Sequence, residues 1–243
     1  MISDLLITLL LTTGTIPVSS ATPPTEPKAI IASYEAATSV QSQRLSGTAL
    51  DVEIEASVPK LKKQGRMFGL RKITEIGKVT YDKIRFEGDS TVKTQVIARY
   101  LSAETNPPVH GEDVLISERN YKFKFKGIRE FNGRKAHVFE LSPRKKRVGL
   151  FKGEIWIDTE TSLPLMETGK FVKNPSVFLK GIEFSRTYSI IDGVAVPQSL
   201  SSIAKTRIAG DTRLSITYRK SMEQLPAQAQ ATPDTGQDLS THP

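Results

Sequence analysis

The sequence predicts a mainly β protein: a strongly curved antiparallel sheet, or incomplete β-barrel, with an N-terminal helix packed on its concave face. Helical periodicity occurs once, over residues 27–42, and period-two alternation dominates afterwards. Turn dipeptides such as Asn132-Gly133 and Asp192-Gly193 separate the alternating segments and predict hairpins. These signals add up to roughly nine to eleven strands in a meander, whose apolar face needs the helix as a cover.

The predicted elements follow in order along the chain. In the helix, Ile30, Ile31 and Tyr34 share one face, while Lys28 and Glu35 face away. The clearest strand alternates Tyr121, Phe123 and Phe125 with lysines, and another alternates Leu50, Val52 and Ile54 with acids. Further strands are expected over 79–87, 94–101, 153–158, 164–172, 182–190 and 214–218. The basic segment 57–78 is either a long twisted hairpin or an irregular loop.

The chain ends differ from this pattern. The apolar run from Leu5 to Leu11, followed by Ser19 and Ala21, is typical of a signal peptide cleaved near Ala21. We therefore expect a signal peptide over 1–21, a single domain over 22–221 and a disordered tail over 222–243. Export without any cysteine, and hence without disulfides, favours the bacterial periplasm.

Residues for catalysis or metal binding form no recognisable set. The three histidines, at 110, 137 and 242, lack metal-ligand spacing, and serine-hydrolase and phosphate-loop motifs are missing. Without cysteine there is no thiol chemistry. The sequence therefore predicts a protein that is not an enzyme, with no catalytic residue, no metal and no cofactor.

The net charge of +8 favours anionic partners outside the cytoplasm. Two basic segments are candidates for contact with an anionic membrane or a membrane protein, and a solvated hairpin surface is the alternative for both. They comprise Lys60, Lys62, Lys63 and Arg66, and then Arg144, Lys145, Lys146 and Arg147. No nucleic-acid partner is expected for an exported protein.

An incomplete barrel with one covering helix can enclose an apolar cavity, although apolar side chains on strands are also ordinary core. The residues predicted to line such a cavity are Ile31, Tyr34, Leu50, Val52, Ile54, Phe123, Phe125, Trp156 and Phe184.

Two stretches resemble the LolA/LolB-type periplasmic lipoprotein carriers. Residues 153–165 (GEIWIDTETSLPL) are similar to the strand–turn–strand of that group, and Tyr188 through Pro197 to its downstream hairpin. The resemblance implies an unclosed barrel that holds the acyl chains of a lipoprotein, or another amphipathic lipid, beneath a helical lid. The basic segment 57–78 departs from the carrier pattern.

Three functions remain open at this point. The first is a periplasmic carrier or binding protein for acyl chains. The second is an envelope sensor or regulatory module of the same fold that binds a membrane protein. The third is a glycan hydrolase whose carboxylates the sequence does not single out.

Overall fold

The computed structural model describes residues 26–107 and 111–221. The predicted signal peptide and its cleavage site, the tail over 222–243, His110 and His242 lie outside the described residues. Within them, ten antiparallel strands form one curved, unclosed sheet with an N-terminal helix, α1. The predicted fold class is therefore confirmed.

The helix and strands have the following bounds: α1 Pro27–Arg44, β1 Ala49–Val58, β2 Lys63–Ile73, β3 Val79–Gly88, β4 Tyr121–Phe131, β5 Arg134–Pro143, β6 Phe151–Asp158, β7 Pro164–Phe171, β8 Leu179–Ile191, β9 Val194–Thr206 and β10 Asp211–Lys220. The hairpin turns follow the predicted chemistry. Asn132 and Gly133 both have positive φ, as do Asp192 and Gly193.

The strand order departs from the predicted meander. It is β3-β2-β1-β10-β9-β8-β7-β6-β5-β4, so the first and last strands pair in the interior of the sheet. Ile54 of β1 lies opposite Ile216 of β10, and both are fully buried. The strands β3 and β4, which a meander would pair, are instead the two edges.

The segment predicted as a strand over 94–101 is helical. A helical turn Ser90–Val92, a π-helical stretch Lys93–Ile97 and an α-helix Ala98–Thr105 follow without a break. The Asp89 carboxylate caps this segment by accepting from the N–H groups of Thr91 at 2.8 Å and Val92 at 3.2 Å. We call it the 90–105 helical segment.

The basic segment 57–78 is a hairpin. Strands β1 and β2 pair over their whole length and are joined by a 3₁₀ turn, Pro59–Leu61, which Lys62 closes with φ +53°. The hairpin alternative is therefore the one the structure adopts.

The core lies between the concave face and its helical covers. Alternate strand residues point inward, as in β1, where every second residue from Leu50 to Val58 is buried. From the covers, Ile30, Ile31 and Tyr34 of α1 and Val92, Ile97 and Leu101 of the 90–105 helical segment complete the buried set.

The close approach of β6 and β7 depends on glycine. Gly153 faces Gly169 across the pair. A Cβ at Gly153 would lie 1.9 Å from the Thr168 carbonyl oxygen, and one at Gly169 would lie 2.5 Å from that of Lys152. No side chain fits at either position, so the curvature of the sheet here requires both glycines.

Candidate ligand-binding site

Two helical covers lie over the concave face, and polar contacts fix α1 at separate points. The Glu35 carboxylate accepts from the Glu118 N–H at 2.7 Å, and the Gln41 side-chain oxygen accepts from the Ala195 N–H at 2.9 Å. Arg44 donates to the Gly193 carbonyl at 3.4 Å. Helix α1 therefore crosses from the chain just before β4 to the β8–β9 turn.

A pocket of about 300 Å³ opens on the concave face beside the 90–105 helical segment. Five elements contribute to its wall: β2, the helical segment, β8, β9 and β10. The lining residues are Arg71, Tyr100, Ala103, Glu104, Arg186, Tyr188, Pro197 and Tyr218. Tyrosine rings and charged groups both line this space, so it differs from the purely apolar cavity that the sequence predicts.

The first charged group in the wall is the pair Arg71–Glu104. The Arg71 Nε and Nη2 atoms lie 2.9 and 2.8 Å from Glu104 Oε1, and the Tyr81 hydroxyl also donates to this carboxylate. Burial opposes the charge of Arg71, but the neighbouring Glu104 outweighs it and raises the pKa of the guanidinium. Arg71 is 8% exposed, and its Nη1 has no hydrogen-bond partner among the described residues.

The second charged group is Arg186 with Glu167 and Tyr188. The Tyr188 hydroxyl donates to Glu167 Oε1 at 2.9 Å, and Arg186 Nη1 lies 3.5 Å from Glu167 Oε2. Tyr34 of α1 is buried near Glu167; burial first, and then the charge of Glu167, raises the pKa of its hydroxyl. This group therefore lies beneath α1, while Arg71 and Glu104 lie at the other cover.

Tyrosine hydroxyls complete the wall. The Tyr100 and Tyr218 hydroxyl oxygens are 3.4 Å apart. The Arg71 guanidinium carbon Cζ lies over the Tyr218 ring, 5.8 Å from the ring centroid. Burial raises the pKa of both hydroxyls. The neighbouring Tyr218 adds to the shift of the Tyr100 pKa, and the charge of Glu104 adds to the shift of the Tyr218 pKa. Both hydroxyls stay protonated at neutral pH. Together with Arg71 they offer donors to an acceptor-rich polar group.

The structure places the predicted cavity residues on two faces. Four are buried on the concave face beneath the covers: Leu50, Val52, Ile54 and Phe184. Ile31 and Tyr34 are buried on the side of α1 that faces this sheet. Phe123 is half-buried on the concave face, and Phe125, 39% exposed, lies on this face of the edge strand β4. Trp156 does not join them, because it alternates with the buried Ile155 and Ile157 and contacts Phe131 on the outer face.

Sequence reasoning missed the charged residues of the pocket. Arg71 follows Met67 and Gly69 at period two in β2, and Arg186 lies between Phe184 and Tyr188 in β8. A charged side chain at an inward-facing position of an amphipathic strand was therefore the sequence signal that could have indicated a polar pocket. Because 94–101 was predicted to be a strand, the helix that places Tyr100 and Glu104 over the concave face was also missed.

The basic residues predicted to contact a membrane or partner do not form one surface. Lys60 and Lys62 are exposed at the β1–β2 turn, and Lys145 and Lys146 between β5 and β6. The other four have partners within the protein. These contacts are Lys63 with Asp89, Arg66 with Glu55, Arg144 with the Glu118 and Tyr121 carbonyls, and Arg147 with Asp113.

Two features are absent from residues 26–107 and 111–221. No group of three or more His, Cys, Asp or Glu side chains is arranged to hold a metal ion. In the same residues, no helix combines the length and apolar character needed to cross a bilayer.

The sequence matches no family model and no curated protein. Several solved structures are similar to the chain, among them these three. One is a LolA superfamily protein from Nitrosomonas europaea (11% identity, TM-score 0.36, 82% of this chain and 94% of that chain). Another is a domain of the outer membrane lipoprotein-sorting type from Vibrio parahaemolyticus. It is 14% identical with a TM-score of 0.40, and the match covers 80% of this chain and 94% of that chain. The third is a DUF1329 family protein from Desulfovibrio piger. It is 12% identical with a TM-score of 0.39, and the match covers 81% of this chain and 95% of that chain. At these values the similarity assigns no role to any residue.

Proposed function

We propose that this protein is a periplasmic carrier or binding protein for lipoprotein acyl chains or other amphipathic lipids. The observation that carries the proposal is the donor-rich pocket of about 300 Å³ beside the 90–105 helical segment, next to the apolar core of the concave face. An amphipathic molecule has a polar end that suits the donor-rich pocket and an apolar end that suits the rest of the concave face. The proposal includes no catalytic step.

The size of the pocket defines what fits without movement. At about 30 Å³ per water molecule, the space holds roughly ten waters, which suits a polar headgroup better than an acyl chain. The apolar floor beside it is filled by side chains of the covers. The structure is thus a closed state, and an acyl chain enters only when a cover moves away from the sheet.

The energies allow such a movement of α1. Its buried anchors are Ile30, Ile31 and Tyr34. Exposing three such side chains costs about 6 kcal/mol, whereas burying an acyl chain of about 14 methylenes contributes about 11 kcal/mol. An acyl chain can therefore replace the helix on the floor of the sheet.

Native mass spectrometry with lipid extraction tests the proposal on the full chain purified from a bacterial periplasm. We expect bound phospholipid or lipoprotein at near-stoichiometric level. The double variant Tyr100→Phe/Tyr218→Phe keeps both rings and removes two donors, so the occupied fraction should fall severalfold. Val40→Ser, on the exposed side of α1, is the matched control and should leave occupancy unchanged.

A protein that stays free of lipid when phospholipid vesicles and a lipoprotein are offered would contradict the proposal. That result would instead favour a regulatory module that binds a membrane protein. Equal occupancy in the wild type and the double variant would support lipid binding but show that the pocket hydroxyls do not take part in it.

A further inference from the structure

Three neighbouring loops lie at one end of the sheet, and we call them the basal rim: residues 59–62, 172–178 and 207–210. The strand order β2-β1-β10-β9-β8-β7 makes these loops consecutive. Contacts also join them. The Arg207 backbone N–H donates to the Phe178 carbonyl at 3.0 Å, and its Nε donates to the Val177 carbonyl at 2.9 Å. The Lys60 side chain passes beside Gly210.

Large apolar side chains point into solvent from every loop of the basal rim. Leu61 is 47% exposed, Val177 79%, Phe178 60% and Ile208 76%. Single exposed apolar residues are ordinary on a protein surface, but a group of four on adjacent loop tips marks an interaction surface. These tips do not contribute to the core, so folding does not explain them.

The charge of the basal rim indicates the partner. Its loops carry Lys60, Lys62, Lys173 and Arg207 and contain no Asp or Glu. Lysine and arginine that flank exposed apolar side chains are typical of proteins that rest in the headgroup region of an anionic membrane.

The turns at the opposite end have the reverse charge. Residues 74–78, 132–133, 159–163 and 192–193 contain Glu75, Glu160 and Asp192 against the single Lys78. An anionic surface would therefore attract the basal rim and repel the other end, which fixes the orientation of the molecule on the surface.

We propose that the basal rim docks on an anionic lipid bilayer, with Val177, Phe178 and Ile208 entering the interface and the four cations contacting headgroups. This surface differs from the sequence prediction. It keeps Lys60 and Lys62 and adds two loops that the sequence did not single out. The other six predicted cations lie outside it: Lys63, Arg66, Arg144 and Arg147 have partners within the protein, and Lys145 and Lys146 belong to the loop between β5 and β6. The inference goes beyond cargo binding and does not require it.

Co-sedimentation with vesicles tests the proposal on the full chain. The vesicles contain phosphatidylcholine with about one third phosphatidylglycerol, and pure phosphatidylcholine is the comparison. We expect binding to the anionic vesicles that weakens as salt is raised. Phe178→Ser/Ile208→Ser should lower the partition coefficient by about tenfold or more. Lys60→Gln/Lys62→Gln should lower it by about fivefold per lysine.

Ile76→Ser is the matched control, because Ile76 is 88% exposed on the β2–β3 turn at the opposite end. It should bind vesicles as the wild type does. All substituted positions are exposed, so unchanged thermal midpoints are expected and confirm that each variant folds.

Three results would overturn the proposal. The first is no binding of the wild type to anionic vesicles, and the second is an equal loss in Ile76→Ser. The third is sedimentation of the wild type alone as a dimer that Phe178→Ser/Ile208→Ser dissociates, since a second copy would then cover the rim. Because bound lipid is detected separately by mass spectrometry, failure here leaves the cargo proposal intact.

Discussion

Arg71 and Glu104 place an ion pair on the side of the sheet that is otherwise core. Buried ion pairs contribute little net stability, since desolvation offsets the attraction between the charges. Among the residues that the structure describes, Arg71 Nη1 also has no hydrogen-bond partner, which a hydrophobic replacement would avoid. The pair is therefore better explained by the pocket that it lines than by the stability of the fold.

Arg71→Leu should lower the free energy of unfolding by about 3 kcal/mol, because Glu104 would be left largely buried without its cation. Urea denaturation measures the change. Arg66→Leu is the matched control on the outer face of the same strand, where Arg66 pairs with the exposed Glu55. It should shift the midpoint little. Equal effects of the two substitutions would contradict the view that Arg71 is the buried partner.

At the scale of single elements, the β6–β7 turn is organised by Asp158, whose side chain is 1% exposed. Its carboxylate accepts from Arg134 Nε and Nη2, each at 2.9 Å, and from the Thr161 N–H at 2.8 Å. Burial opposes ionisation, but the hydrogen bonds from Arg134 and Thr161 outweigh it and hold the pKa of Asp158 below its usual value. One carboxylate thus joins this turn to the start of β5.

Asp158→Asn should make the protein less stable at neutral pH by about 1–3 kcal/mol. The pKa of the carboxyl is lower in the folded than in the unfolded protein, where it is about 3.9. Its contribution is therefore present above that value and is lost as the pH falls through the folded pKa.

Urea midpoints of wild type and Asp158→Asn should accordingly converge below about pH 4. Glu160→Gln is the control, because Glu160 pairs with the same arginine at 3.3 Å but is 79% exposed. A difference between wild type and Asp158→Asn that stays constant from neutral to acidic pH would contradict this role of Asp158.

The sequence predicts the hairpins and α1 well but fails at the 90–105 helical segment, and the reason is physical. A turn such as Asn132-Gly133 is a local signal, because two adjacent residues must adopt positive φ. Thr94, Val96 and Ile97 are β-branched and typical of strands. Asp89, a typical N-cap residue, was the signal that favoured a helix. The helix is stabilised by burial of Val92, Ile97 and Leu101 against the sheet.

At the scale of the whole molecule, the β1–β10 pair is what joins the two parts of the sheet. Strands β2 and β3 pair with the remainder of the sheet only through β1. Ile54 and Ile216 meet at this seam, 162 residues apart in sequence (216 − 54). No local pattern encodes such a pairing, so the sequence predicted a meander. The helix-covered, curved sheet was still predictable, because it requires only amphipathic strands and one amphipathic helix.

We predict that the described sheet unfolds as one cooperative unit. Ile216→Ala should lower the free energy of unfolding by about 2–4 kcal/mol. Trp156 reports on β6, four strands away from β10, so its fluorescence midpoint should fall together with the far-UV circular dichroism midpoint. Separate transitions would show that the β1–β3 part and the β4–β10 part are independent units.

The position of β10 also determines when the chain can fold. A chain that emerges N-terminus first presents β1 to β3 early, yet their partner on the sheet is the last strand to appear. The seam then closes a loop of more than 150 residues, from Val58 at the end of β1 to Asp211 at the start of β10 (211 − 58 = 153). Contacts of such separation form slowly. A chain that lacks β10 therefore has no seam, and β1 to β3 stay without their partner in the sheet until β10 has emerged.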